Sequence, residues 1–339
     1  MSVRAGLDVG GAHLKVACAE DGRLTAVRQI PCPLWMGLAH LDVALQNAAP
    51  LLAEADTVAI TMTGELSDVF TDRITGVETL VDRLSKEFGG RARFWTGSRG
   101  MRSAEDARRH PRDVGSTNFL ASAALTGYRI PDALLIDFGS TTADIIPIRK
   151  GTPVPTGLTD AMRQTTGELV YTGYTRTAVM AVTGLAPFQG QWVTLAREYL
   201  ATMADVRRIL GVDLNGIDQH VTADGKDKSL ASSKARLARM LGRDAAEGSA
   251  ADWRTAAVYV REMQLRSIHD GAIQVLSQAA LPGDAPVVAA GVGARDVADI
   301  AARLERPVIS FAELAGADGD LEFWAAACAP AVALALMPD

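Results

Sequence analysis

Three short segments of the sequence are rich in glycine or hydroxyl side chains, and the first two also carry aspartate, a combination that suits phosphate and metal chemistry. The first segment is Asp8-Val9-Gly10-Gly11-Ala12-His13, the second covers residues 137–144, and the third is Gly291-Val292-Gly293. Glycine lets the backbone approach an anion closely and adopt the positive φ that an anion-binding nest requires. Each segment therefore predicts a turn that presents backbone N–H groups to a phosphate.

The side chains of these segments predict how the charge of a bound phosphate is balanced. Mg²⁺ keeps several waters and binds phosphates with help from one or two carboxylates. We predict that Asp8 and Asp137 hold Mg²⁺, with Mn²⁺ as the alternative metal, and that Lys15 supplies a point charge. The residues predicted to cradle the phosphates are Gly10, Gly11, Ala12, His13, Gly139, Ser140, Thr141, Thr142, Gly291 and Gly293.

The first two segments belong to a repeated unit. Each follows an apolar strand pattern and leads into a second strand and a turn. An alignment without any gap places these residues opposite one another: Asp8 and Asp137, Gly10 and Gly139, Gly11 and Ser140, Lys15 and Asp144, Gly22 and Gly151. This register match predicts two copies of one strand-turn-strand module, each at the start of one of two related domains.

Hydrophobic periodicity places the remaining elements around these modules. Strand patterns cover residues 3–7, 14–19, 24–30, 57–62, 93–95, 133–140, 142–148, 286–290 and 308–310. Helical patterns cover residues 38–52, 77–88, 103–109, 116–126, 193–210, 253–280, 296–304 and 323–336, with Ser116 as the expected N-cap of its helix. The predicted fold class is therefore α/β.

Length and composition limit the kind of protein. The chain has 339 residues, which predicts two domains at roughly 100–200 residues each. It carries 34 Lys and Arg against 40 Asp and Glu, a formal net charge of −6, and only 5% aromatic residues. This balance argues against a nucleic-acid partner bound through its phosphates or its stacked bases.

Cysteine spacing and hydropathy predict the cellular setting. Cys18, Cys32 and Cys328 lie far apart, so we expect buried thiols in a reducing compartment, not disulfides or a zinc site. The longest apolar run, residues 323–337, is broken by Pro330 and is shorter than the roughly 20 residues of a membrane span. No signal-peptide pattern is visible at the start. We therefore expect a cytoplasmic protein without a membrane partner.

Taken together, the three turns resemble the phosphate loops and the nucleoside-side turn of the actin, sugar kinase and Hsp70 superfamily. The resemblance implies two ribonuclease-H-like domains with a ligand cleft between them. We place them at residues 1–128 and 129–339, with an inserted segment at about 156–250 in the second. The sequence lacks the GK[ST] ending of a Walker loop.

Four further segments resemble a narrower family, the hydantoinase/oxoprolinase-related group linked to tetrahydromethanopterin-dependent one-carbon metabolism. This group includes the methanofuran-biosynthesis condensing enzyme of methanogens. The sequence departs from the expected pattern at His13, where we expect Asn, and at Ala143, where we expect Thr. The segments that carry the likeness are residues 61–68, 116–121, 144–148 and 167–173.

The resemblance implies a transferase. Such an enzyme joins an aminomethylfuran that carries a methyl diphosphate to the phenol of a glutamyl-tyramine or tyrosine, which forms an ether and releases diphosphate. Mg²⁺ and backbone donors stabilise the charge of the leaving group. The implied partners are therefore small diphosphate and phenolic substrates.

A base must accept the phenol proton, because phenols have a pKa near 10. The candidates are Glu65, Asp144 and Glu168, and the sequence does not rank them. Each also has a plain structural explanation. Glu65 can cap a helix that begins near Leu66, Glu168 can be a surface acid in a turn, and Asp144 can pair with a nearby cation.

Two other functions remain open on the same fold. The first is an ATP-dependent small-molecule kinase, in which the Gly291 turn holds adenosine and an acid such as Glu65 accepts a proton. The second is a binding or regulatory protein without catalytic activity. The Ala-rich segment 323–336 is a candidate contact between subunits of a homo-oligomer.

Overall fold

The computed structural model describes residues 2–337. Within this range the chain forms two mixed β-sheets of six strands each, a separate two-stranded hairpin, and helices that cover the sheets. Each large sheet contains an antiparallel hairpin whose first strand also pairs in parallel with a later strand. The α/β class expected from the sequence is confirmed.

The first sheet is built from the N-terminal part of the chain. Its strands are β1 Val3–Val9, β2 His13–Glu20, β3 Arg23–Pro31, β4 Thr57–Met62, β5 Ala92–Trp95 and β6 Met101–Arg102. They lie in the order β3-β2-β1-β4-β5-β6. The central strands β1 and β4 are buried over most of their length because their apolar residues face helices on both sides of the sheet.

The second sheet uses later parts of the chain. Its strands are β7 Ala133–Phe138, β8 Ala143–Arg149, β9 Thr152–Pro153, β10 Leu169–Val170, β13 Val287–Ala290 and β14 Val308–Ser310. The main order is β10-β8-β7-β13-β14, and β9 pairs with β8. The separate hairpin consists of β11 Leu185–Phe188 and β12 Gln191–Thr194.

Helices connect and cover these strands. Several start with side-chain caps; Asp72 accepts a hydrogen bond from the backbone N–H of Thr75, and Ser249 forms a capping box with Asp252. The helices are α1 Ala39–Leu52, α2 Arg73–Phe88, α3 Ala104–Arg109, α4 Pro111–Val114, α5 Asn118–Arg129, α6 Asp160–Thr166, α7 Val179–Val182, α8 Met203–Ile209, α9 Leu230–Met240, α10 Ala250–Ala279, α11 Ala294–Arg303, α12 Phe311–Leu314, α13 Glu322–Ala327 and α14 Ala329–Leu336.

The predicted repeat is confirmed by the register of the two hairpins. In β1–β2, Asp8 lies opposite Lys15, and in β7–β8, Asp137 lies opposite Asp144. The turn at the far end of each hairpin contains a glycine with a φ of 76°, Gly22 in the first module and a matching glycine in the second. The aligned residues therefore occupy equivalent places in two copies of one module.

Each sheet also receives a helix from elsewhere in the chain. Helix α14 packs across β1, and a Cβ at Gly6 would lie 1.9 Å from the carbonyl oxygen of Ala331, so only glycine allows this approach. Helix α5 packs on β7, β8 and β9 of the second sheet. These contacts join the two sheets, while the domain limits 1–128 and 129–339 stay a prediction.

The middle of the chain has a hydrophobic core of its own. Around the buried Trp253 of α10 pack residues of α8, α9 and the β11–β12 hairpin, including Phe188 at a ring-centroid distance of 4.5 Å. The segment predicted as an insertion at 156–250 therefore contributes a small separate cluster next to the second sheet.

Three local predictions were wrong. The helical pattern at 193–210 is a helix only from Met203, because Thr202 caps α8 and β12 occupies the start of the segment. The pattern at 323–336 forms two helices that meet at Cys328, since Pro330 fits only the first turn of a new helix. Ser116 has a φ of 54° and does not cap α5, which begins at Asn118.

The length and apolar composition of the described helices bear on whether any of them could span a bilayer. None of those within residues 2–337 is by itself long and apolar enough to cross a membrane; only the pair Gly319–Ala327 and Ala329–Leu336, bent by 107°, meets the length and composition together. All three cysteines are buried free thiols, as expected from their spacing.

Candidate active site

A cavity of about 550 Å³ lies between the loop ends of the β1–β2 and β7–β8 hairpins. Helices α5 and α6 complete its wall through Asn118, Asp160 and Arg163. The predicted site residues that line it come from both loops: Asp8, Gly10, Gly11, Ala12, His13, Lys15, Asp137, Gly139, Ser140, Thr141, Thr142 and Asp144. The structure therefore brings the two predicted phosphate loops to one cavity.

The loop of the first hairpin is a tight turn. The N–H of Gly10 donates to the carbonyl oxygen of His13 at 3.0 Å, and a Cβ at Gly10 would also lie 3.0 Å from that oxygen. At the strand end, the Lys15 ammonium lies 3.5 Å from Oδ2 of Asp8. The first loop thus carries its own ion pair of opposite charges.

The loop of the second hairpin has the same backbone but different charges. The N–H of Gly139 donates to the carbonyl oxygen of Thr142 at 2.9 Å. The facing pair at the strand end is Asp137 and Asp144, and Asp144 forms an ion pair with the buried Arg163 of α6. The expected pairing of Asp144 with a nearby cation is therefore confirmed.

Burial controls the protonation of the acids that face the cavity. Within residues 2–337, Asp137 has no ion pair, and burial raises its pKa to about 7 against the smaller opposing effect of Lys15. Burial also raises the pKa of Asp8, again opposed by Lys15. Burial therefore disfavours the charged forms of both acids, and an added cation would stabilise those forms.

The buried oxygen atoms around Asp8 indicate whether Mg²⁺ fits this cavity. Among residues 2–337, neither the buried Oδ1 of Asp8 nor the buried hydroxyl of Thr61, which pairs with Asp8 in the β1–β4 register, has a hydrogen-bond partner. Carboxylate and hydroxyl oxygens suit Mg²⁺. The described residues contain no cluster of three or more His, Cys, Asp or Glu able to hold a metal. The donor set therefore fits an ion bound by one or two carboxylates, with water and phosphate completing its shell.

Aromatic and basic side chains that the sequence did not point to close one part of the cavity wall. Arg176 and Trp35 line the cavity, and the guanidinium lies 5.1 Å from the centre of the Trp35 ring. The imidazole of His220 contacts His13 edge-on at a centroid distance of 4.8 Å. Burial, with Arg176 among the smaller causes, lowers the pKa of both histidines, for His220 to about 4. Both imidazoles are therefore neutral at neutral pH.

Glu65 lies behind the cavity wall. Its Oε1 accepts a hydrogen bond of 2.6 Å from the hydroxyl of Ser116, which does line the cavity, and its Oε2 has no hydrogen-bond partner in the described part of the chain. Burial raises the pKa of Glu65 to about 7, against the smaller effect of the Ser116 hydrogen bond. The side chain is directed to Ser116, so it does not cap the short helical turn at Gly64–Leu66.

Glu168 lies outside this cavity. Its carboxylate accepts hydrogen bonds from the backbone N–H groups of Thr156 and Gly157 and from the hydroxyl of Thr166. It is buried, not a surface acid, and it holds the loop after β9 in place. The structure therefore does not bring Glu168 together with the two predicted phosphate loops.

The Gly291-Val292-Gly293 turn also lies outside the cavity. A Cβ at Gly291 would come within 2.3 Å of the carbonyl oxygen of Phe138, and one at Gly293 within 2.4 Å of the Phe138 ring. Tyr174 packs edge-on against the same ring at 5.5 Å. These glycines allow close packing of the turn against β7.

The order of the strands and the paired hairpins define an α/β protein of the actin, sugar kinase and Hsp70 type. A nucleotide-free structure of acetone carboxylase is similar to this chain with a TM-score of 0.53 and 11% identity, over 98% of this chain and 70% of that one. At this identity the likeness concerns the fold alone.

The sequence comparisons identify the family. The hydantoinase/oxoprolinase family model matches residues 56–316, and the chain belongs to this family. It is 33% identical to (4-{4-[2-(gamma-L-glutamylamino)ethyl]phenoxymethyl}furan-2-yl)methanamine synthase of Methanocaldococcus jannaschii over 240 residues, 70% of this chain and 71% of that enzyme. The synthase of the same name from Methanococcus vannielii is 27% identical over 195 residues, 56% of this chain and 86% of that enzyme.

Proposed function

We propose that this protein is a transferase of methanofuran-type cofactor biosynthesis. It condenses an aminomethylfuran methyl diphosphate with the phenol of a glutamyl-tyramine or tyrosine, forms an ether and releases diphosphate. One observation carries the proposal: two loops predicted to bind phosphate, each with an aspartate at its strand end, meet at one cavity in a chain 33% identical to a synthase whose name describes a phenoxymethyl furan. That name contains the ether bond which the proposed reaction forms.

The loops support the departure of diphosphate. The bond between the furan methyl carbon and the bridging phosphate oxygen breaks, and its electron pair leaves with diphosphate. Backbone N–H groups of the two loops and the Lys15 ammonium stabilise the negative charge that develops there. When bound by Asp8 and Asp137, Mg²⁺ supplies further positive charge against the leaving group.

The phenol oxygen then bonds to the furan methyl carbon and loses its proton. Of the three candidate bases, Asp144 is neutralised by Arg163, and Glu168 lies outside the cavity with three donors on its carboxylate. Glu65 has a pKa of about 7 and reaches the cavity through the Ser116 hydroxyl. We infer that the phenol proton passes to Ser116 while the Ser116 proton passes to Glu65.

The kinase alternative has no comparable support. In that reading the Gly291 turn holds adenosine, yet this turn is filled by Phe138 and Tyr174. The Arg207 guanidinium lies 4.1 Å from the centre of the Tyr174 ring, and its Nη2 lies 2.8 Å from Oδ2 of Asp296. These side chains occupy the space next to the turn.

One assay tests the proposed function. The purified protein receives Mg²⁺, the aminomethylfuran methyl diphosphate and either tyrosine, tyramine or glutamyl-tyramine, and the product mass and released diphosphate are measured. Parallel samples receive ATP and candidate alcohols and are analysed for ADP. Ether formation without ATP supports the proposal, and ADP formation supports the kinase. If neither product forms, the result supports a binding protein without catalytic activity.

Three finer properties stay predictions. They are the cytoplasmic location, the choice of Mg²⁺ over Mn²⁺, and assembly into a homo-oligomer. In the segment named for subunit contact, α14 is buried against β1 of its own chain, so this helix does not present the predicted contact surface.

A further inference from the structure

Three cations line the cavity, and one of them differs from the other two. Lys15 pairs with Asp8 and Arg163 pairs with Asp144. Within residues 2–337, Arg176 has no ion pair with a carboxylate. A half-buried guanidinium without an acidic partner has lost part of its hydration, and an anion in the cavity would replace it.

The backbone places Arg176 at the second phosphate loop. Its N–H donates to the carbonyl oxygen of Ser140 at 3.1 Å, and its Nη1 donates to the hydroxyl of Thr141 at 3.1 Å. Gly173 makes this approach possible, since a Cβ there would lie 2.1 Å from the Ser140 oxygen. The guanidinium therefore lies beside the loop that is proposed to hold the diphosphate.

The other wall of the cavity holds the guanidinium in position. Trp35 is joined to the first loop, because the N–H of the preceding Leu34 donates to the carbonyl oxygen of Gly11 at 3.0 Å. Its ring stacks against Arg176 across the cavity at 5.1 Å. The contact leaves the Nε and Nη2 groups of Arg176 without a protein hydrogen-bond partner among the described residues. A planar fork of free donors suits a phosphate.

We propose that Arg176 binds the diphosphate group of the substrate and neutralises it as it leaves, with Trp35 as the residue that positions it. This inference rests on the proposed function for the origin of the diphosphate. It adds a residue from outside both predicted loops to the binding machinery.

Inorganic diphosphate, titrated calorimetrically in the presence of Mg²⁺, tests the binding. We expect Arg176→Ala to weaken binding by about 10- to 100-fold, the range for a lost charge-assisted hydrogen-bonding partner. Arg176→Lys keeps the positive charge but loses the planar set of donors. Its diphosphate affinity should lie between those of the parent protein and Arg176→Ala. Arg108→Ala, which removes an arginine on α3 that pairs with Asp82, is the matched control and should bind as the parent protein does.

Trp35→Leu is a second variant that keeps Arg176 itself. We expect about a 3-fold loss of diphosphate affinity, because the guanidinium loses its stacking partner but not its charge. Added guanidinium ion should partly restore turnover in Arg176→Ala. Such rescue is not expected if the arginine only supports the fold.

The outcomes separate this inference from the proposed function. If Arg176→Ala binds diphosphate as the parent protein does, and the parent protein forms the ether, the role of Arg176 is wrong and the proposed function stands. Weakened binding in a protein that forms no ether overturns the proposed function alone. If Arg176→Ala instead raises KM for glutamyl-tyramine but not for tyramine, the arginine binds the glutamyl carboxylate and our inference is wrong.

Discussion

The two hairpins that face the cavity have one backbone and two charge patterns. In both, the glycine two residues after the aspartate closes the loop with a hydrogen bond to the residue three positions on. In the first hairpin the aspartate faces Lys15, whereas in the second it faces Asp144. Opposed like charges destabilise a strand pair. The second hairpin therefore depends on cations from elsewhere.

Those cations come from outside the hairpin. Arg163 of α6 neutralises Asp144, and Lys15 of the first hairpin acts on Asp137. The comparison teaches that two modules with the same loop backbone can differ in how their charges are balanced, and that the second depends on the assembled cavity. In the first hairpin the aspartate has a cation of the same hairpin beside it. In the second hairpin the cations come from other parts of the folded chain.

The largest expected effect comes from the aspartates at the two loop ends. We expect Asp8→Asn and Asp137→Asn each to lower Mg²⁺-dependent ether formation by about 10²- to 10³-fold, because each removes charge that holds the metal and leaving group. Initial rates over a Mg²⁺ titration measure this. Asp21→Asn, at the far turn of the first hairpin, serves as control. Full turnover in both loop variants would show that neither aspartate holds the metal.

The next effect concerns the stability of the second hairpin. We expect Asp144→Asn to lower the free energy of unfolding by about 3 kcal/mol, because it leaves the Arg163 guanidinium, only 3% exposed, without its partner. Urea denaturation measures the difference. Asp160→Asn breaks the more exposed pair with Arg73 and should cost less than about 1 kcal/mol. Equal losses in the two variants would contradict this account of the hairpin.

The buried Glu65 should make the stability of the protein depend on pH. The folded-state pKa of Glu65 is raised to about 7, so its contribution to stability is full below pH 4.5 and is lost as pH rises through 7. Glu65→Gln should therefore gain roughly 2–3 kcal/mol over the parent protein between pH 5 and 8. Denaturation curves across this range test the sign.

Glu168→Gln provides the contrasting variant. A Gln side chain has one acceptor oxygen in place of two, so at least one of the donors from Thr156, Gly157 and Thr166 loses its partner. We expect the free energy of unfolding at neutral pH to fall by about 1–3 kcal/mol. A gain in stability for this variant would contradict the structural role of the Glu168 carboxylate.

The smallest effect tests the equivalence of the far turns. Gly22→Ala should cost about 1 kcal/mol, because the φ of 76° strains an alanine. Gly151→Ala meets the same φ and also places a Cβ 3.2 Å from the carbonyl oxygen of Gly127, so its cost should be slightly larger. Thermal unfolding of the two variants compares them. A much larger loss at Gly22 would mean that the modules are not equivalent.

The sequence by itself determined the parts of the protein that depend on neighbouring residues. The loop at Gly10, its copy at Gly139 and the far turns follow from local turn chemistry, and an ungapped alignment was sufficient to find them. The same pattern placed Asp8 and Asp137 at equivalent strand ends. Most strand and helix positions followed from periodicity for the same reason.

The tertiary structure alone decided which side chains meet. Trp35 and Arg176 lie far apart in the chain, and no periodicity or spacing connects them. The direction of Glu65 toward Ser116 and the packing of the Gly291 turn on Phe138 also result from contacts between distant elements. Pairing energies, burial and pKa depend on distances in space, and sequence spacing does not contain those distances once the chain has crossed between two sheets.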